Sequence, residues 1–535
     1  MNKIKLLLLQ VLVITILTAC SMMTPQSSNV QVMSYSPVYP ILIGKEHNPA
    51  LRVNIVSKQR HSDSLRNITL DFSGSDDVSA IKTAKLFYSG GGESFTATNL
   101  VGSTDKISAL TTIKLSKPVV PSQGNNYFWL TVSVRNDANT LHDVTVNASQ
   151  IKLGNETLAV TALNETAHNR IGHALRQAKD DGVNTYRIPG LETTNKGTLL
   201  AIYDVRHDSS VDLQGDIDVG MSRSTDGGQT WQPMKIIMDM GEWGGLPQDQ
   251  NGVGDPSILV DRLTNTIWVA ALWAHGHPGK RSWYGSKQGM TPVETGQLIL
   301  TKSEDDGLTW SAPINITKQV KDPQWRLLLD GPGKGISLND GTLVFPVQYK
   351  DENKLAHSTL ISSKDHGKTW TIGTSAKTDT TEAQVVQLSD GSLMLNMRDN
   401  RGQRHWQKNG TGARALATTS DLGQTWQIHP TSNKALPEPV CSASLISHQM
   451  HSQPSLLLFS NPASQYSRRN MTIKVSQDDG MSWPVEHFTL IDEGLGYGYS
   501  SLTSINEQII GILYESSQSH MTFQRFKLSE LMKHK

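Results

Sequence analysis

The chain has 535 residues, with 49 Lys plus Arg set against 49 Asp plus Glu, 43 glycines, 22 prolines and two cysteines. That length exceeds what one compact domain usually holds, so two domains are the starting expectation. The balanced charge advertises no nucleic-acid partner, and the composition excludes a collagen, a coiled coil, a disulfide-stapled miniprotein and a multi-pass membrane protein.

Lys3 and Lys5 precede an apolar run from Leu6 to Leu17 that is too short to span a bilayer and has the order of a secretory signal. The run ends Leu17-Thr-Ala-Cys20, which resembles the lipobox of bacterial lipoproteins. The resemblance implies cleavage before Cys20, lipidation of its thiol, and an exported protein held at the membrane by lipid alone. Ser21 after the cysteine favours the outer membrane by the same resemblance. Cys441 then has no disulfide partner and is expected to be a buried, unreactive thiol.

From about Val30 to Ala162, short runs such as Leu51-Arg-Val-Asn-Ile55 and Phe128-Trp-Leu-Thr-Val-Ser-Val134 alternate apolar and polar residues. Period-two alternation between Gly, Ser and Asn clusters predicts an antiparallel β-sandwich over residues 24–165. It serves either as a spacer or as a carbohydrate-binding module. Residues 163–179 read as a linker.

Beyond residue 180 the texture changes. Eleven of the twelve tryptophans lie there, and five of them close one repeated motif, Ser-x-Asp-x-Gly-x-Thr-Trp. Its copies are Ser224–Trp231, Ser303–Trp310, Ser363–Trp370, Thr419–Trp426 and Ser476–Trp483. Asp and Ser/Thr side chains bond nearby backbone N–H groups, Gly accepts a positive φ, and Trp pins the turn to the sheet. Each copy is therefore a hairpin turn, and its aspartate is spent on structure rather than catalysis. Five marked units plus one unmarked predict a six-bladed β-propeller over residues 170–535, so the fold class is all-β.

The motif is the Asp box of the sialidase (neuraminidase) superfamily, and the resemblance extends to residues outside the boxes. A terminal sialic acid carries a carboxylate on its anomeric carbon, and arginine suits such an anion because its planar fork is always charged. The resemblance implies three arginines: Arg187 in Tyr186-Arg-Ile-Pro-Gly190, Arg398 in Leu393-Met-Leu-Asn-Met-Arg398, and one in Ser467-Arg-Arg-Asn470. There the family spacing Arg-x-Asn favours Arg468 over Arg469. The sugar's carboxylate repels an anionic nucleophile, so a neutral tyrosine with an adjacent base is the family's solution. Gly498-Tyr-Ser-Ser-Leu502 places the nucleophile on Tyr499, with Tyr497 open as an alternative. Thr381-Glu-Ala-Gln-Val385 makes Glu382 its base, and Glu515 resembles the residue that orients the first arginine.

The family's proton donor follows Asp-x-Arg in the first blade. Counting back from Arg223 points to Asp212, with Asp208 and Asp216 open. Arg206 and Asp255 resemble residues around the O4 and acylamino side of the sugar. No cofactor is required. His275 and His277 lack a third ligand, so no metal is expected. The implied activity is a retaining exo-α-sialidase acting on sialylated glycans (mucins, glycoproteins, gangliosides). A trans-sialidase, an intramolecular variant giving an anhydro-sugar, and a non-catalytic sialic-acid lectin are the alternatives. Linkage preference depends on loops around the leaving sugar; the insertion 276–294 is either one of them or a long solvated loop.

Overall fold

The computed structural model describes residues 29–532 apart from 61, 214, 276–279, 405–410 and 451–452. The expected leader and Cys20 lie outside the described residues. Among those described, no helix is long and apolar enough to cross a membrane.

The N-terminal part is a single hydrogen-bonded path of ten strands that folds back on itself. The fold comes where Leu100–Thr104 meets Leu110–Val119 through one register pair, Gly102 with Leu115. Alternating burial, as in Leu65–Asp71, turns one face of each layer inward. Val53, Ile55, Leu130 and Val132 of one layer thereby share a core with Ile68, Leu70, Ile113 and Ile151 of the other. This is the two-layer arrangement that the alternation predicts.

Six mainly antiparallel sheets follow, as expected for six blades. Their innermost strands are Thr185–Thr193, Asn251–Val260, Leu327–Asp330, Thr380–Gln387, Ser444–Met450 and Ser500–Asn506. Each Asp box joins the last two strands of its blade, for example Gln297–Ser303 to Ile314–Asn315. In that copy the Asp305 carboxylate accepts from the Thr309 N–H (2.8 Å) and hydroxyl (2.6 Å) and from the Ser303 hydroxyl (2.8 Å). Asp306 and Gly307 turn the chain with φ of 65° and 81°. The closing tryptophans pack on the cores between sheets; Trp370 and Trp483 are nearly buried.

The sixth blade shows why one box is missing. Its first three strands, Ser500–Asn506, Ile509–Tyr514 and Met521–Lys527, come from the end of the chain. Its fourth strand, Asn169–Arg176, comes from before the first blade and pairs antiparallel with Met521–Lys527. No hairpin connects the third strand to the fourth, so no turn motif is needed there. Residues 163–179, expected as a linker, thus contain the strand that closes the ring. Its buried Asn169, Arg170 and Gly172 break the apolar alternation by which strands are recognised. The same strand pairs in parallel with Ile41–Ile43 of the sandwich, which seats the two parts on one another.

Hydrogen bonding within the boxes holds the carboxyls of Asp305, Asp365 and Asp421 at about 2, below the ordinary 3.8. A depressed folded-state value means that this stabilisation is complete above pH 3.8 and is lost as pH falls toward 2. The thermal unfolding midpoint should therefore drop across that window. The triple variant Asp305→Asn, Asp365→Asn, Asp421→Asn should show a lower midpoint at neutral pH and a shallower acid fall. Parallel pH profiles by differential scanning calorimetry would contradict the assignment.

Candidate active site

The candidate residues gather where the innermost strands begin, at one mouth of the ring. Three of those strands carry a register irregularity at the residue concerned: between Arg187 and Gly190, between Gly254 and Ser257, and between Thr380 and Ala383. A bulge re-aims a side chain, and proline, having no N–H, is tolerated there. The sequences Arg187-Ile-Pro and Asp255-Pro are such bulges, with Ile188 at φ 61° and Asp255 at φ 56°. Gly190 is required by close approach: a Cβ there would lie 2.7 Å from the Gly333 carbonyl oxygen.

Isoleucine at positive φ is strained, and Glu515 holds it there. The buried Glu515 carboxylate accepts from the Ile188 N–H (2.9 Å), from Arg187 Nε (2.5 Å) and from the Tyr499 N–H (3.0 Å). The Tyr499 hydroxyl donates to Glu382 Oε1. Arg398 Nη1 donates to both Glu382 Oε2 (2.7 Å) and the Tyr499 oxygen (3.0 Å). The guanidiniums of Arg187 and Arg468 lie 5.3 and 5.6 Å from the Tyr499 ring centre.

Three cations thus surround one phenol. Arg468 donates to the Tyr497 and Val440 carbonyls at 2.9 and 3.2 Å, and among the described residues no carboxylate bonds to it. Its charge is available to an anion. Arg469 instead lines a groove with Tyr35 and Glu493 at the seam with the sandwich. Tyr497 is 43% exposed at the rim, its ring 4.3 Å from the Arg187 guanidinium.

Across the mouth, Arg206 is almost wholly buried and donates to Asp204 (2.7 Å) and Asp212 (2.7 Å). Asp204 accepts the Asp255 N–H at 2.8 Å, and the three carboxylates form one cluster. The Asp212 side chain is 45% exposed, so it faces the opening. Asp216 belongs to a separate group with His207 and Asp218, where His207 Nε2 meets Asp218 at 2.8 Å. Asp208 is in neither group.

Burial, and then the negative charge of Glu382, push the Tyr499 phenol well above its ordinary 10.0. It therefore keeps its proton at neutral pH, with Glu382 as the adjacent acceptor. Burial works against the charges of Arg187 and Arg398, but Glu515 and Glu382 outweigh it, and both guanidiniums are held more firmly protonated than usual. Burial raises Asp204 to about 6 against the opposing charge of Arg206. Burial, then Asp212 and Asp204, raise Asp255 well above the carboxylate range. The Cys441 thiol is buried beside Tyr499, and that burial pushes it up to about 11.

Two supports were not singled out from sequence. Asp204 stood within the Asp-x-Arg motif and could have been taken from it. Arg414 had no motif: fully buried, it donates to Glu438 (2.8 Å), Asn396 (2.6 Å) and the Cys441 carbonyl (2.7 Å). Glu438 in turn accepts the N–H of Asp399, the residue after Arg398, at 2.8 Å.

Comparison with known proteins places the chain in a family. Residues 197–513 match the BNR repeat-like domain, and residues 27–157 match the N-terminal domain of BNR-repeat neuraminidase. The chain is 45% identical over 522 residues to a sialidase of Bacteroides fragilis, covering 92% of this chain and 94% of the relative. It is 34% identical to a sialidase of Micromonospora viridifaciens, over 63% of this chain and 50% of that protein. A Hadza microbial sialidase of known structure superposes with a TM-score of 0.87 at 44% identity, covering 93% and 99% of the two chains.

Removing one partner of a buried ion pair leaves the other uncompensated and costs about 3 kcal/mol or more. Glu515→Ala should therefore destabilise the protein by about 3 kcal/mol in urea unfolding, more than Glu515→Gln. Equal stability of the Ala variant and the parent would show that Glu515 does not carry this junction.

Proposed function

The chain belongs to the BNR-repeat sialidase family, and from that premise we propose that this exo-α-sialidase works with retention through a covalent tyrosyl-sialoside. The observation that carries the reading is the buried Tyr499 hydroxyl, in contact with Glu382 and Arg398 and ringed by Arg187 and Arg468. The sialic-acid carboxylate lies against the three arginines. Arg468, which has no carboxylate partner among the described residues, supplies the unspent charge.

In the first step Asp212 gives its proton to the glycosidic oxygen. The Tyr499 oxygen bonds to the anomeric carbon and passes its proton to Glu382 as the glycosidic bond breaks. In the second, Asp212 takes a proton from water, the water oxygen bonds to the anomeric carbon, the tyrosyl bond breaks and Glu382 returns the proton to Tyr499. Two inversions give net retention, and a tyrosine nucleophile is the known departure of sialidases from the two-carboxylate rule. Arg398 steadies the phenolic oxygen as negative charge develops on it. Arg206 and Asp255, beside Asp212, take the O4 and acylamino side of the sugar.

The substrates are sialylated glycans of mucins, glycoproteins and gangliosides. Lipidation at Cys20 would hold the exported enzyme at the outer membrane, where such glycans are met. Hydrolysis, rather than transfer or anhydro-sugar formation, is the reading kept, and a lectin would need no Tyr499, Glu382 and Asp212 together.

Tyr499→Phe should lower kcat on a sialyl-oligosaccharide on the order of 10³-fold or more. Proton NMR of parent turnover should show the α-anomer of free sialic acid first. First formation of the β-anomer would overturn retention, and a transferred or anhydro product would overturn hydrolysis.

A further inference from the structure

In the second blade, residues 280–296, which precede Gln297–Ser303, reach across to the first blade. Their short helical turn, Ser282–Gly285, begins with a serine that is 2% exposed. The Ser282 hydroxyl donates to the Leu213 carbonyl at 2.8 Å. Leu213 follows Asp212 directly and has φ of 39°, a conformation that a leucine keeps only when its surroundings hold it. Its side chain is nearly buried, packed with Leu272, Leu327 and Leu329 and against Trp283.

The loop that carries Asp212 is thus held on both sides of that residue. Arg206 holds the Ser210 carbonyl at 3.0 Å from the blade's own strand, and Ser282 holds the Leu213 carbonyl from the neighbouring blade. The turn is fixed in its own right from a third blade. Lys350 Nζ donates to the Trp283 carbonyl at 2.6 Å and lies 4.0 Å from the centre of its ring.

We propose that Ser282 is a positioning residue for the proton donor: its hydrogen bond to the Leu213 carbonyl, backed by Trp283 and Lys350, sets the reach of Asp212 to the leaving oxygen. This rests on the reading of Asp212 as the acid/base. Among the described residues of the segment, no hydrogen bond, ion pair or ring contact reaches Tyr499, Arg187, Arg398 or Arg468. Loss of the bond therefore withdraws proton donation and leaves nucleophilic attack intact.

The test compares kcat/KM, which stops at the first irreversible step, on two substrates. A sialyl-oligosaccharide has a poor leaving group that needs the proton, whereas an aryl sialoside has a good one that does not. Ser282→Ala should lose about tenfold on the oligosaccharide and less than about twofold on the aryl sialoside, the range of one hydrogen bond. Ser282→Thr, which keeps the hydroxyl, should restore the oligosaccharide rate. Lys350→Met should show the same substrate split and carries the comparison if Ser282→Ala does not fold.

In an Asp212→Asn background, Ser282→Ala should add no further loss, because the two residues act through one function. Equal losses on both substrates, or full additivity with Asp212→Asn, would overturn the proposal while leaving Asp212 in place. If Asp212→Asn itself falls equally on both substrates, the acid/base reading fails and the proposal fails with it.

Discussion

One buried carboxylate ties this structure together. Glu515 lies in the last blade, yet it accepts from the Arg187 guanidinium and the Ile188 N–H of the first blade and from the N–H of Tyr499 beside it. It therefore fixes Arg187, a strained bulge and the backbone of Tyr499 as one unit. The strand Asn169–Arg176 closes the ring at the same pair of blades. Through Glu515 the positions of Arg187 and Tyr499 are tied to the junction where the propeller closes.

The site divides into two electrostatic halves. One half pairs carboxylates with arginines one to one, Glu515 with Arg187 and Glu382 with Arg398, and keeps Arg468 over. The other crowds Asp204, Asp212 and Asp255 around a single arginine, Arg206, so that burial and mutual repulsion raise Asp204 and Asp255. The cationic half suits a carboxylate and the acidic half suits proton exchange with a leaving oxygen. Neither half depends on the Asp-box carboxylates, which are used up in holding their own turns.

Much of this was legible from the chain because its signals are local. An Asp box is a turn made of eight consecutive residues, and Arg187-Ile-Pro-Gly190 is a bulge whose proline and glycine are needed on the spot. Glu382 and Tyr499 were reached through the resemblance of short segments to those of the family, not through a physical signal of their own. What escaped is non-local. The ring-closing strand at Asn169–Arg176 is polar where it is buried and borrows its partners from residues 521–524. The Arg414–Glu438 pair behind Arg398, and the Ser282 bond to Leu213, join residues that no motif spans. Arg468 over Arg469, and Asp212 over Asp216, were favoured by family spacing; in the structure Arg468 lies beside Tyr499 and Asp212 joins Asp204 and Asp255, whereas Arg469 lines the seam and Asp216 sits with His207 and Asp218.

The central claim is that the Tyr499 oxygen, relieved of its proton by Glu382, bonds to the anomeric carbon. A 2,3-difluorinated sialic acid tests it directly, since fluoride leaves C2 readily while fluorine at C3 slows loss of the adduct. Mass spectrometry of the parent enzyme should show the gain of one fluorosialyl group, mapped by peptide fragmentation to Tyr499 and absent from Tyr499→Phe. A label on Glu382 or any other side chain, or complete turnover of the sugar with no label at all, would contradict the account.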